Sequence, residues 1–348
     1  MAETRMAFSA QILTSFLNCK TMKYLKIAFF LFLLIGTIII LNNHNSTSIA
    51  PYQVAEGSIF GTQYKVIYQH KQDFKQAIDS TLKAVDQSLS LFNKTSTLAR
   101  INRGETNRVD SLFAKVFRIS TEVALHTNGA FDPTIAPAVN AWGFGPKRKH
   151  ELNQYVLDSI AELVDFRKVE IIGDSLLSKA DDRISLDFGA IAKGYGVDVV
   201  AEMLSTKGIV NYMVEIGGEV VVKGVNDKGN AWRIGVQSPT SDETCVQKVI
   251  QLNNAALATS GNYRNYYLND QGVRVAHTID PRTASPVAHS LLSATVVAPT
   301  CALADAYATA FMVMGLDAAT EVLKRQPQLS AYFIYAQGDS LCVFSTLH

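Results

Sequence analysis

Strand-period and helix-period segments follow one another in this chain without strict β-α-β alternation, and this order constrains the fold more than any other feature. Alternating or continuous apolar runs mark strands at Tyr64–Tyr68, Tyr212–Val222, Trp232–Val236, Val246–Leu252, Val273–Ile279, Ser293–Val297 and Tyr332–Tyr335. Helical spacing marks Phe74–Leu91, Leu112–Thr127 with Asp110 as its N-cap, Ala190–Leu204, Ala302–Met314 and Asp317–Arg325. A polar helical stretch surrounds Asn153–Leu163, and Asn226–Asn230 and Asn269–Gly272 read as hairpin turns. A parallel Rossmann sheet needs a crossover between each pair of strands, which this order does not supply. The pattern predicts an α+β fold with mainly antiparallel sheets and packed helices.

The 348 residues suffice for one large domain or two small ones, and a formal charge of +1 gives no electrostatic case for nucleic acid. Cys19, Cys245, Cys301 and Cys342 lie far apart with no C-x-x-C pair, which argues against a zinc site or a disulfide framework. Lys20, Lys23 and Lys26 precede the apolar run Ile27–Leu41. That run is shorter than the ~20 residues that comfortably span a bilayer. Ser48-Ile49-Ala50 followed by Pro51 is a poor cleavage site, so the run reads as an uncleaved signal anchor in preference to a cleaved signal peptide. The lysines on its N-terminal side place the rest of the chain outside the cytoplasm. Met22 opens a more typical basic-then-apolar leader and is an alternative start. The expected organisation is a cytoplasmic segment 1–26, the anchor 27–41, a polar linker 42–51 and a catalytic domain 52–348.

The segment Ser185-Leu-Asp-Phe-Gly-Ala-Ile-Ala-Lys-Gly-Tyr-Gly196 reads as a strand, Arg183–Phe188, turning through Gly189 into a helix near Ala190. Free N–H groups at such a helix start favour anions, and Lys193 adds a point charge, so the segment suits a phosphorylated ligand. It matches neither a Walker A loop nor a dinucleotide G-x-G-x-x-G fingerprint. Asp305 and Thr309, four apart, share one helix face and offer hard oxygens of the kind Mg²⁺ accepts. His277, at a strand end before Asp280-Pro281, has the chemistry to take a proton from a hydroxyl near neutral pH. Taken singly, each has a plainer explanation: a dipole-complementing acid for Asp305, a half-exposed strand residue for His277. The glutamate in Val214-Glu-Ile-Gly-Gly-Glu219 reads as a solvated strand residue, and Ser260-Gly-Asn-Tyr-Arg264 as a hairpin offering a hydroxyl and a guanidinium.

Together, Phe131-Asp-Pro-Thr-Ile-Ala-Pro, Trp142-Gly-Phe-Gly, Leu186-Asp-Phe-Gly-Ala-Ile-Ala-Lys-Gly-Tyr, Val214-Glu-Ile-Gly-Gly-Glu, Ala258-Thr-Ser-Gly-Asn-Tyr-Arg-Asn-Tyr, His277-Thr-Ile-Asp-Pro-Arg-Thr and Ala304-Asp-Ala-Tyr-Ala-Thr309 occur in the order seen in the ApbE family, which the chain resembles from about Ile59 onward. The resemblance implies a single ApbE/T-fold-like catalytic domain and an FAD:protein FMN transferase of the bacterial cell envelope. Such an enzyme cleaves the pyrophosphate of FAD with Mg²⁺, joins FMN to a threonine or serine of an acceptor protein, and releases AMP. By the same resemblance, Asp305, Thr309 and the Ala190 carbonyl are the Mg²⁺ ligands. Ala130, Phe131, Asp132, Asp187, Lys193, His277 and Ile279 match FAD contacts, as do Phe60 and Phe92 more loosely, and His277 activates the acceptor hydroxyl. The implied partners are FAD, a respiratory electron-transfer subunit as acceptor, and the inner membrane through the N-terminal segment, with the catalytic domain facing the periplasm or cell exterior. Two positions depart from the family: Ala284 replaces a glycine, and Thr278 replaces an aliphatic residue. The alternatives are an FAD pyrophosphatase, with water in place of the acceptor, and a non-catalytic envelope flavin-binding module.

Overall fold

β-Branched and aromatic residues alternate across a series of short segments, and in the computed structural model eight of these pair side by side into one sheet. The structure describes residues 22–38, 50–145, 152–238, 246–262, 266–268, 274–338 and 340–347. The expected turn at Asn269–Gly272, the guanidinium of Arg264, residues 1–21 and most of the 42–51 linker lie outside the described residues. The chain divides into a unit of residues 1–51 and a unit of residues 52–348. The first holds helix α1, residues 22–38.

The second unit opens with the hairpin β1 (Tyr52–Ile59) and β2 (Thr62–Gln69), then helices α2 (Lys75–Leu89), α3 (Thr97–Asn102), α4 (Ser111–His126), α5 (Ala136–Ala141) and α6 (Gln154–Ala161). The small hairpin β3 (Val169–Ile172) and β4 (Leu176–Lys179) leads to helix α7 (Ala192–Thr206). Next come β5 (Tyr212–Ile216), β6 (Glu219–Lys223), β7 (Trp232–Gln237), β8 (Val246–Leu252) and β9 (Ala256–Gly261). Short strands β10 (Tyr266–Leu268), β11 (Arg274–Ala276), β12 (Ile279–Asp280) and β13 (Ser285–Pro286) precede β14 (Leu291–Ala298), helix α8 (Cys301–Arg325), β15 (Ser330–Gln337) and β16 (Ser340–Ser345). The main sheet runs β1-β2-β5-β6-β9-β14-β15-β16, antiparallel at every step. This is the α+β architecture the sequence predicts.

One face of the sheet carries α2, α7, α8 and α4 over a core that includes Val214, Ile216, Ala258, Val296 and Phe333. On the other face lies the β7–β8 hairpin, whose Trp232, Val236, Ile250 and Leu252 pack against Val220, Val222, Tyr332 and Ile334. Asp110 caps α4 by accepting the Phe113 N–H at 2.9 Å, as its sequence position indicates. α8 presents Ala302, Ala304, Ala306, Ala308 and Ala310, all fully buried, so its backbone lies close to its neighbours. It is apolar and long enough to cross a membrane, yet 67% of that apolar stretch is buried in this fold, which makes it a core helix. Gly315 (φ 75°) breaks α8 between the two helices expected from the sequence, and His289 packs on the break, donating from Nε2 to the Met312 carbonyl at 2.8 Å.

Four expectations change. Tyr212–Val222 is not one strand but the β5–β6 hairpin, turning at Gly217-Gly218, both with positive φ. Val273–Ile279 is interrupted between β11 and β12. Arg183–Phe188 joins no sheet. Instead the Asn102 amide pins it, accepting the Leu186 N–H at 2.8 Å and donating to the Leu186 carbonyl at 2.7 Å, as a strand neighbour would. The helix that follows starts at Ala192, later than Ala190.

Where α7 meets α8, a Cβ at Gly194 would stand 2.3 Å from the Cys301 carbonyl oxygen and 2.8 Å from the Asp305 Cβ. A Gly→Ala change within a helix ordinarily gains up to about 1 kcal/mol. Here the clash outweighs that gain, and Gly194→Ala should lower stability by about 2 kcal/mol. Urea unfolding measures the difference, and a stabilised variant would show that the helices do not meet this closely.

Candidate active site

The α7–α8 crossing sets two acids and a lysine together. With no Cβ at residue 194, α8 approaches until Asp305 Oδ2 accepts the Gly194 N–H at 3.0 Å. Asp198 of α7 accepts the N–H groups of Cys301 and Ala302, each at 2.8 Å, and so closes the first turn of α8. Lys193 Nζ then lies 2.7 Å from Glu219 Oε1 and 3.8 Å from Asp305 Oδ1. The Lys193 side chain keeps 31% of its surface accessible against 4% for either acid, so the lysine is the member a ligand meets. Burial works against its charge, but Asp305 and Glu219 outweigh burial and hold its pKa above the usual lysine range. Burial pushes the Glu219 carboxyl up; Lys193 opposes the shift and Asp305 adds to it.

Around this cluster opens a cavity of about 1380 Å³, larger than the ~300–1,000 Å³ usual for small-molecule sites and roomy enough for a dinucleotide. Every site residue named from the sequence lines it: Phe60, Phe92, Ala130, Phe131, Asp132, Asp187, Ala190, Lys193, His277, Ile279, Asp305 and Thr309. Phe60 sits at φ 52° beside Gly61 at φ 75°, in the two-residue turn joining β1 to β2. That left-handed conformation costs a non-glycine residue about 1–2 kcal/mol. In exchange the Phe60 ring lies against Gly196 of α7, at the cavity wall. Phe92 is 76% exposed at the cavity margin.

Asp187 accepts the Gly189 N–H at 2.7 Å, and burial raises its carboxyl pKa. Both oxygens of Asp132 are engaged within the protein. Oδ1 takes the Thr134 N–H and hydroxyl, and Oδ2 takes the Phe166 N–H, so Asp132 shapes the wall through its backbone. Thr309 shares a hydrogen bond with Ser260 at 3.1 Å, and the His277 ring stands edge-on to Phe144 at 6.3 Å between centroids. Ala284 adopts φ 52° despite its Cβ, so the turn keeps the shape a glycine would give, and its carbonyl accepts the Trp142 Nε1–H at 2.7 Å.

Two residues given plainer readings in the sequence take part in the site: Glu219 is buried rather than solvated, and Ser260 of β9 bonds Thr309. The repeated Gly-Gly before Glu219 was the available signal, since a tight turn aims the next side chain back across the hairpin. Among the described residues no three His, Cys, Asp or Glu side chains gather as a metal cage. The donors of the Ala190 carbonyl, the Asp305 carboxylate and the Thr309 hydroxyl fit a hard cation. Asp305 Oδ1 faces Lys193 beyond hydrogen-bond reach and so retains its lone pairs.

Such a cleft, with one lysine and two buried acids where two helices cross beside an antiparallel sheet, has the size and mixed polarity of an enzyme's ligand site. The ApbE family model matches residues 60–333, and the chain belongs to that family. It is 35% identical over 300 residues to the FAD:protein FMN transferase of Escherichia coli K12, covering 82% of this chain and 85% of that protein. Identity to the Haemophilus influenzae protein of the same name is 39% over 296 residues, covering 80% and 85%. Among solved structures, flavin transferase ApbE from Vibrio cholerae superposes with a TM-score of 0.76 at 34% identity, covering 85% of this chain and 97% of that one. The apo flavinyl transferase ApbE of Pseudomonas stutzeri gives 0.77 at 30% identity, covering 86% and 95%.

Burial pushes the Asp198 carboxyl up to about 6, against the two N–H groups it accepts. In the unfolded chain it titrates near ~3.9, so between these values the folded state binds more protons. Its contribution to stability is fully present below the unfolded value and is lost as pH rises through about 6. Asp198→Asn should therefore flatten the fall in unfolding free energy between pH 4 and pH 7. Parallel slopes for the two proteins would remove Asp198 as the source.

Proposed function

We propose that this protein is an Mg²⁺-dependent FAD:protein FMN transferase that cleaves the FAD pyrophosphate, attaches FMN through its phosphate to a threonine or serine of an acceptor protein, and releases AMP. The observation that carries the reading is the convergence of Lys193, Asp305 and Thr309 on one dinucleotide-sized cavity, supported by relatives named for this activity. Phosphoryl transfer is promoted chiefly by positioning and by neutralising charge. Asp305, Thr309 and the Ala190 carbonyl would hold the cation, which would supply charge neutralisation at the pyrophosphate and its leaving group. Lys193 presents its ammonium to the phosphate oxygens. Phe60, Phe131 and Ile279 supply apolar wall to the ligand's rings, and Ala130, Asp132, Asp187 and Phe92 complete the binding surface. His277 takes the proton of the acceptor hydroxyl. That oxygen forms the new bond to the FMN phosphorus as the bond to the bridging oxygen breaks, and the electron pair leaves with AMP.

Lys20, Lys23 and Lys26 before the apolar run Ile27–Leu41, and the run itself, support anchoring in the bacterial inner membrane with residues 52–348 on the outer side. There the acceptor is a respiratory electron-transfer subunit. Incubating the full chain in detergent with FAD, Mg²⁺ and membranes of its own cell should yield an acceptor band carrying flavin fluorescence in a denaturing gel. FMN and AMP without a labelled band would instead mark an FAD pyrophosphatase, and intact FAD a binding module. Asp305→Asn keeps an oxygen for the Gly194 N–H but loses the charge, so it should fold normally and lose at least about 100-fold in transfer rate. His277→Ala should lose about 100-fold with FAD binding retained. Full activity in either variant would withdraw that residue's role.

A further inference from the structure

Glu219 stands out among the buried groups that the reaction above does not use. It is 3% exposed, and its Oε2 has no hydrogen-bond partner among the described residues, whereas its Oε1 holds Lys193 at 2.7 Å. An unpartnered buried carboxylate oxygen is costly and calls for a reason. Its placement is also firmly determined. The Gly217-Gly218 turn is fixed by the Gly217 N–H donating to the Gln63 carbonyl at 3.0 Å and the Gly218 N–H to Glu215 at 2.8 Å. Glu219 then opens β6 opposite Ile216.

The geometry shows what this placement accomplishes. Asp305 Oδ2 is occupied by the Gly194 N–H, which leaves Oδ1 as the oxygen facing the cavity. Glu219 holds the Lys193 ammonium off that oxygen: the lysine rests at 2.7 Å from Glu219 and 3.8 Å from Asp305. With the lysine paired directly to Oδ1, the carboxylate would have no free charge to offer a cation. We propose that Glu219 is a positioning residue that draws Lys193 away from Asp305 and so keeps the Asp305 carboxylate open to a divalent cation. This inference rests on the reading of Asp305 as a cation ligand.

The test is a Mn²⁺ titration of the full chain in detergent, followed by electron paramagnetic resonance, without FAD or turnover. Wild type should bind Mn²⁺, and Asp305→Asn should abolish that binding. Failure of either result overturns the cation site itself and the inference with it. Glu219→Leu removes the acceptor for Lys193 and should weaken Mn²⁺ binding at least about tenfold. Glu219→Gln keeps an oxygen acceptor and should stay within about threefold of wild type. The double variant Lys193→Met/Glu219→Leu removes the cation that would collapse onto Asp305 and should recover wild-type affinity. Unchanged affinity in Glu219→Leu would overturn the proposal while leaving the cation site standing. So would a Gln variant as weak as Leu, which would show that the charge alone matters. A double variant as weak as Glu219→Leu would show damage to the fold rather than release of Lys193.

Discussion

The contact between Gly194 and the first turn of α8 is the constraint on which the rest of the site depends. Because residue 194 has no Cβ, the Cys301 carbonyl and the Asp305 Cβ come up to the α7 backbone. That approach puts the Asp305 carboxylate on the Gly194 N–H and within range of Lys193, one residue earlier in α7. Asp198, one turn further along the same helix, secures the start of α8 through two backbone N–H groups. A single helix therefore supplies the gap, the cap and the cation, while its partner supplies the carboxylate and the hydroxyl of Thr309.

Charge at this crossing is only partly compensated within the protein, with one lysine facing two acids. Lys193 sits between Glu219 and Asp305, each almost wholly buried, and an isolated buried charge of either sign would be strongly disfavoured. The neutralisation is uneven, because the lysine leans toward Glu219. Elsewhere the cavity wall tolerates backbone strain in order to place a group. Phe60 holds a left-handed turn so that its ring reaches α7, and Ala284 does likewise beneath Trp142.

Much of this was legible in the sequence because it depends on local periodicity and on motif order. The α+β class, the limits of α2 and α4 and the Asp110 cap follow from spacing alone. The site residues taken from the family motifs all line one cavity, walled by α7, α8 and the ends and turns of the sheet strands. What escaped depends on contacts between distant segments. Arg183–Phe188 has the alternation of a strand, but an Asn102 side chain takes the place of its neighbour, and no one-dimensional pattern announces such a substitution. The β5–β6 turn hid within an apolar run because Gly217 and Gly218 interrupt it only briefly. Glu219 looked solvated because alternation reports which face a residue occupies, not which lysine waits there from a helix 26 positions earlier.

The break at Gly315 divides α8 into a front length that carries Asp305 and Thr309 and a rear length that carries mainly surface and packing residues. A continuous rod would transmit any tilt or rotation of its tail to the head. With the hydrogen-bond ladder interrupted and His289 tied to the Met312 carbonyl just before the gap, torsion arising beyond residue 315 has no rigid path forward. The two lengths can therefore take different axis directions, with the front one set by its contacts at the site.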